Sequence, residues 1–281
     1  MGKLIEKFQQ IRQGSSGSLG FMPRRDNGTA ARPAAVLVTL SASEASVAEA
    51  VAKAGVDAVI ISGWKPGANI TTIKTALESG QALWGVRYSG AGGDEPVKAA
   101  REAGAAFILL GEDAAAGALF DESGQNDRNG QIDRIVTISA PQSEMDLVTL
   151  RVINALPAQA ALVALPAGVA DLSTLPVPAF AQLAIIAESL RFPLLATVND
   201  VPDMRASRAL VRLGVDGIVL AGVGIEADTL ASQVRAVRAD LEKIPARSEE
   251  GVNLSGLMGA IGVTPAKPEP APTPETDPDE E

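Results

Sequence analysis

Eight short apolar runs, each followed by a segment with helical periodicity, constrain the fold of this chain more than any other feature. The runs lie at 35–40, 57–61, 82–86, 106–110, 134–138, 160–165, 194–198 and 216–220. They are almost continuously apolar, which is typical of strands buried on both faces of a parallel sheet. Eight strand–helix units predict an α/β fold, the (β/α)8 or TIM barrel, and an open doubly wound sheet is the alternative.

Three of these units are near-copies of one another. They read AKAGVDAVIISG (52–63), REAGAAFILLGE (101–112) and VRLGVDGIVLAG (211–222). Each has the end of a helix, a glycine suited to a helix C-terminus, a small or acidic residue and then a buried strand. The copies fall at the second, fourth and eighth runs, and this even spacing favours the barrel over the open sheet.

The barrel is expected to occupy residues 34–246, with a different segment on either side. Residues 1–33 contain an amphipathic helix at 3–12 and a loop. Residues 247–281 contain a linker, a short apolar island at 253–262 and a Pro-rich tail. The tail is acidic and is predicted to be disordered, because Pro and like charges prevent a core.

Composition removes several classes of function. The chain has no His and no Cys, so zinc sites and imidazole-based triads are excluded, and we expect no metal site. A net charge of −10 argues against nucleic acid or an anionic membrane as a partner. No signal peptide and no membrane-length apolar run is visible, which predicts a cytoplasmic protein.

Barrel enzymes place their active sites at the C-terminal ends of the strands, so the residues there are the candidates. Lys65 follows the second run and Arg87 the third, and together they are able to hold a carboxylate or phosphate. Glu112 follows the fourth run and is a candidate base. The alternative is that all three are solvated loop charges, with Glu112 capping the next helix.

A turn with two glycines, Gly222 and Gly224, opens the last predicted helix. Free backbone N–H groups and the helix dipole favour an anion at such a position. The alternative is a tight strand-to-helix turn that needs a positive φ. Near the start of the barrel, Ser41 and Glu44 have the spacing of a capping box.

The stretch at 192–224 resembles the region from the seventh strand to the eighth helix of flavin- and phosphate-binding TIM barrels, such as the nitronate monooxygenase and IMP dehydrogenase families. The matching positions are Pro193, Ala196, Leu213, Gly214, Asp216, Gly217 and Gly222. The resemblance implies a phosphate or FMN site at the two turns. The chain departs from the pattern at Asn199 and Asp200, which stand where those families have two glycines. Asp200 is placed to N-cap the following helix.

The sequence therefore predicts a cytoplasmic barrel that binds a small anionic ligand, FMN or a phosphorylated metabolite, at its C-terminal face. The expected ligand-binding residues are Lys65, Arg87, Asn199, Gly222 and Gly224, and the candidate catalytic residues are Lys65, Arg87 and Glu112. The alternative is a non-catalytic barrel that acts as a scaffold and contacts a protein partner through its C-terminal segment. Catalysis itself is left open.

Overall fold

Eight parallel strands close into a barrel in chain order in the computed structural model, which describes residues 2–14, 31–111, 113–120, 132–138, 147–164 and 177–245. The strands are β1 (Ala35–Ser41), β2 (Ala58–Ser62), β3 (Leu83–Tyr88), β4 (Phe107–Leu110), β5 (Asp133–Ile138), β6 (Ala160–Ala164), β7 (Leu194–Val198) and β8 (Val215–Ala221). Pairing of β1 with β8, with Leu37 beside Val219, completes the closure. The predicted barrel is confirmed, and the open sheet is excluded.

Within the described ranges, one helix precedes the barrel and α-helices follow seven of its strands. They are α1 (Lys3–Gln13), α2 (Ala45–Lys53), α3 (Thr71–Ser79), α4 (Glu95–Ala103), α5 (Leu147–Ala155), α6 (Val177–Ser189), α7 (Met204–Leu213) and α8 (Ala227–Glu242). The connection after β4 differs from the predicted pattern, since its described part contains only a 3-10 helix, Ala116–Leu119. No helix in the described ranges is long and apolar enough to cross a membrane.

The strands bury two separate apolar clusters because successive side chains point to opposite faces. One cluster lies between the strands and the surrounding helices and includes Val38, Val59 and Val86. The other fills the barrel and includes Leu37, Ile60 and Phe107. The continuous apolar runs of the sequence follow from burial on both faces.

Helix α1 closes the N-terminal end of the barrel. Its residues Leu4, Phe8 and Ile11, spaced to share one helix face, are buried in the cluster that fills the barrel. The side chain of Asp133, at the start of β5, accepts a hydrogen bond of 2.9 Å from the backbone N–H of Leu4. It thereby satisfies an N–H group that the first turn of a helix leaves unpaired. Desolvation raises the pKa of Asp133 above its usual value, although backbone hydrogen bonds act in the opposite direction.

The residues that the three near-copies share lie where a helix ends and the next strand begins. Gly55, Gly104 and Gly214 all have positive φ, between 85° and 101°, as predicted for glycines at helix ends. The acidic residues of the near-copies also have a structural role, because they accept hydrogen bonds from the backbone of a neighbouring strand. Asp57 accepts the N–H of Val36 at 2.8 Å, and Asp216 accepts the N–H of Leu194 at 2.9 Å.

Some sequence predictions concern residues outside the described part. These are the linker, apolar island and acidic tail at 247–281, and the candidate base Glu112. They remain predictions.

Candidate functional site

A layer of polar side chains lies on the inner face of the barrel at the C-terminal ends of the strands. Its members are Thr39, Ser41, Ser62, Arg87, Thr137 and Thr197, and this set is called the polar layer below. Each lies two residues beyond an inward-facing residue in its strand, so alternation directs it inward as well. In β2, β5 and β7 those preceding residues are Ile60, Ile135 and Leu195, all in the cluster that fills the barrel.

Arg87 is the cation of the polar layer. In β3 it follows Gly85 by two positions, and a Cβ at Gly85 would lie 2.4 Å from the inward-facing ring of Phe107. This contact fixes the inner face of β3 and therefore the direction of Arg87. The side chain is exposed, and within the described ranges it forms no hydrogen bond or ion pair.

Two threonines of the polar layer lie on other strands of the barrel, Thr137 on β5 and Thr197 on β7, the strand opposite β3. Thr137 and Thr197 are both half-buried. The Thr137 hydroxyl oxygen is fully buried and has no hydrogen-bond partner among the described residues. A buried polar atom without a partner is uncommon, and one at the end of a barrel marks a position for a ligand or water. The sequence analysis missed both threonines, although inward alternation within the predicted strands was a usable signal.

A glycine-rich loop, Ser89–Gly93, follows β3 directly and leads to α4. Gly92 donates its N–H to the hydroxyl of Tyr88 at 3.0 Å. A Cβ at Gly93 would meet no atom within 4 Å, so the backbone is open on that side, whereas Gly117 lies close to it on another side. Glycine-rich loops before a helix are common phosphate-binding elements. The signal, three glycines within four residues, was present in the sequence beside Arg87 but was not used.

Lys65, Asn199 and Asp200 are further residues that the sequence places near the C-terminal ends of the strands. Lys65 and Asn199 are exposed at the same end of the barrel. In the described part of the chain, no hydrogen bond or ion pair joins Lys65 to the polar layer. The prediction that Asp200 caps α7 is wrong. Asp203 is the N-cap, and its side chain accepts the N–H of Ala206 at 2.7 Å.

The two glycines of the turn after β8 have different roles. Gly224 has a φ of +79°, whereas Gly222 is not among the glycines with positive φ. A Cβ at Gly222 would lie 2.8 Å from the carbonyl oxygen of Thr39 and 2.7 Å from Leu230. The turn therefore contains a positive φ, as the alternative interpretation predicted, but Gly224 supplies it, whereas close packing between β1 and α8 excludes a side chain at Gly222.

The side chain of Glu44 binds the backbone N–H group that this turn would otherwise offer to an anion. One of its carboxylate oxygens accepts the N–H of Gly224 at 2.7 Å, and the other accepts the N–H of Ser41 at 2.6 Å. The spacing of Ser41 and Glu44 thus predicted a real pair, but not a full capping box. Glu44 itself is the N-cap residue of α2 and makes no side-chain cap to that helix.

No group of three or more metal-ligating side chains occurs within the described ranges.

The chain matches no protein-family model and no curated protein. Its likeness to solved structures is one of fold. Three similar structures are thiamine phosphate pyrophosphorylase from Pyrococcus furiosus, GGGPS from Thermoplasma volcanium and tryptophan synthase from M. tuberculosis.

The sequence identities to these structures are 16%, 10% and 10%, and the TM-scores are 0.52, 0.55 and 0.59. The alignments cover 75%, 88% and 86% of this chain and 97%, 100% and 99% of the other chains. At this identity the comparison establishes a shared TIM-barrel fold.

Proposed function

We propose that the protein binds a small phosphorylated ligand at the polar layer, with Arg87 as the partner of the phosphate. The observation that carries this proposal is the position of Arg87: inward-facing, exposed and unpaired among the described residues. An arginine at the mouth of a barrel that has no carboxylate partner in the described part of the chain is available to an anion. Its planar guanidinium matches the oxygens of phosphate.

The surroundings of Arg87 complement a phosphate ester better than a bare ion. The hydroxyls of the polar layer both donate and accept hydrogen bonds, which suits a polyhydroxylated group attached to the phosphate. The glycine-rich loop Ser89–Gly93 adjoins Arg87 in sequence and allows a ligand close to the backbone. One similar barrel, thiamine phosphate pyrophosphorylase, is named for a phosphorylated compound.

The turn after β8 is a weaker candidate for the phosphate position. Its Gly224 N–H already donates to the Glu44 carboxylate, and a phosphate there would have to displace that carboxylate or be repelled by it. This arrangement favours the Arg87 side of the barrel. It also counts against FMN bound in the manner implied by the resemblance, in which the turn after the eighth strand holds the phosphate.

A thermal-shift experiment tests this proposal. Glycerol 3-phosphate, FMN and inorganic phosphate are titrated against the wild type, Arg87→Gln and Arg208→Gln. Arg208 is an exposed arginine on α7 and controls for the loss of one positive charge. At a hundredfold excess over Kd, binding adds about 2.7 kcal/mol to the free energy of unfolding.

We expect glycerol 3-phosphate to stabilise the wild type and Arg208→Gln and to lose most of its effect in Arg87→Gln. Glycerol, the matched ligand without the phosphate, is expected to have no effect at the same concentrations. Equal stabilisation of Arg87→Gln and Arg208→Gln would refute the role of Arg87. If none of the phosphorylated compounds stabilises the wild type, the proposed function fails.

A further inference from the structure

A cavity lies at the N-terminal end of the barrel, opposite to the polar layer. It has a volume of about 220 Å³ and lies between α1, the start of β1, the loops that precede β2 and β3, and α8. It is called the lower cavity below. Its polar and charged lining residues are Lys7, Gln10, Arg32, Asp57, Gln81 and Arg238.

The lining is electropositive, with three cations and one carboxylate. Two of the cations have structural partners. Arg32 forms a two-point ion pair with Asp57, at 2.8 and 3.0 Å. Arg238 donates to the carbonyl oxygen of Gly55 at 2.6 Å and contacts Glu242. Lys7, which is half-buried, has no hydrogen bond or ion pair with any described residue.

Arg32 brings an unused donor to the cavity. Only 2% of the residue is exposed, and its terminal nitrogens are those that bind Asp57. The Nε–H group is buried and has no partner among the described residues. A buried donor without an acceptor is destabilising, so an acceptor that reached this nitrogen would stabilise the folded chain.

Gln81 adds a second polar group on a strained backbone. Its φ of +58° is the only positive value among the described residues other than glycine. Such a conformation is uncommon for a residue with a side chain, and it persists where the surroundings fix it. Gln81 lines the lower cavity at a position where the backbone would accommodate a glycine more easily.

We propose that the lower cavity is a binding site for a small dianion, a phosphate or a short dicarboxylate. Lys7 supplies charge, Arg32 its Nε–H and Gln81 its amide. The volume is below the roughly 300–1,000 Å³ of pockets for drug-sized ligands, which limits the occupant to this size. The C-terminal ends of α2 and α3 face this end of the barrel, and their partial negative charge disfavours an anion. Affinity therefore depends on the positive charge of Lys7, which has no partner among the described residues.

The test uses the full-length chain with Arg87→Gln, which removes the phosphate partner proposed for the other end of the barrel. Inorganic phosphate and malonate are titrated by calorimetry against this protein and against versions that also carry Lys7→Gln, Gln81→Gly or Lys3→Gln. Lys3 is an exposed lysine on α1 outside the cavity lining and serves as the matched control. Lys7→Gln preserves most of the side-chain length and a high helix propensity.

We expect at least one of the two probes to bind the Arg87→Gln protein. Affinity should fall about tenfold or more with Lys7→Gln, because a charge-assisted hydrogen bond is lost, and should be unchanged with Lys3→Gln. Gln81→Gly should weaken binding while leaving the melting temperature equal or higher, since glycine relieves the positive φ. This combination separates a ligand contact from a loss of folding.

Two results would overturn the proposal: the absence of binding by both probes, or affinity that is the same with Lys7→Gln and Lys3→Gln. Neither result affects the proposed function, which depends on Arg87. Conversely, binding that persists with Arg87→Gln and disappears with Lys7→Gln supports the lower cavity whatever the polar layer binds.

Discussion

The carboxylate of Glu44 accepts the backbone N–H of Gly224 at 2.7 Å, across 180 positions of the chain. The same side chain also accepts the N–H of Ser41 at 2.6 Å. It therefore links the end of β1 to the turn after β8, on either side of the strand pair that closes the barrel. A negative group of the protein thus occupies the position that a phosphate takes in barrels that use this turn.

Glu44→Gln should increase the affinity of the barrel for phosphorylated ligands. The amide oxygen still accepts one N–H, whereas the negative charge is removed, so repulsion of an anion falls. We expect a gain of up to about tenfold in affinity for glycerol 3-phosphate. Glu49→Gln, an equivalent change at an exposed position of α2, is the control. Titration calorimetry measures both, and a weaker or unchanged affinity with Glu44→Gln would show that its charge does not face the ligand.

Substitutions at the two glycines of the same turn should differ in cost. Gly222→Ala forces a Cβ to within 2.8 Å of a carbonyl oxygen, which we expect to cost about 1–3 kcal/mol of stability. Gly224→Ala has open space around the Cβ but keeps a φ of +79°, at a cost of about 1 kcal/mol. Urea unfolding compares the two variants. A larger loss with Gly224→Ala would contradict the assignment of packing to Gly222 and backbone conformation to Gly224.

The fold was predictable from the sequence because burial on both faces leaves a local signal. The apolar runs identified all eight strands, and Gly55, Gly104 and Gly214 were identified as helix ends from short-range patterns. The absence of an α-helix from the described part of the connection after β4 was not predicted. Residue preference and periodicity do not exclude a 3-10 turn within a short alanine-rich segment.

The candidate site was less predictable because its contacts connect distant parts of the chain. Arg87 and Lys65 were proposed as site residues from their position after the predicted strands, and their role stays a prediction. The spacing of Ser41 and Glu44 indicated a local pair, but nothing local shows that Glu44 also binds Gly224. Asp200 and Asp203 are both suitable caps for α7, and only the backbone geometry selects Asp203.

The two aspartates at the starts of β2 and β8 should differ in their importance for stability. The side chains of Asp57 and its partner Arg32 are 5% and 3% exposed. Asp57→Asn should therefore cost about 3–5 kcal/mol, because it leaves a buried arginine without its counter-ion. Asp216 pairs with Arg12, whose side chain is 46% exposed, so Asp216→Asn should cost less. Denaturant unfolding of both variants checks this order, which equal losses would contradict.

Asp133 should make stability depend on pH in a defined direction. Burial raises its pKa above the usual 3.8, so the folded chain holds the proton more tightly than the unfolded chain. The resulting stabilisation is fully present below about pH 3.8 and is lost as pH rises through the folded-state pKa. Asp133→Asn does not titrate at this position.

The free energy of unfolding of the wild type, taken relative to that of Asp133→Asn, should therefore fall as pH rises through this window. Denaturant unfolding of both proteins at several pH values between about 3.5 and 7 measures the difference. A difference that stays constant, or that rises with pH, would show that burial does not dominate the environment of Asp133.

The central claim is that Arg87 binds the phosphate of a ligand in the polar layer. Its most direct test is the Kd of glycerol 3-phosphate for Arg87→Gln and for Arg208→Gln, both measured by calorimetry in a Lys7→Gln background so that the lower cavity does not contribute. We predict that Arg87→Gln weakens binding by at least about tenfold relative to Arg208→Gln, as expected for the loss of a charge-assisted hydrogen bond. Equal Kd values for the two proteins, or no measurable binding to Arg208→Gln, would contradict the claim.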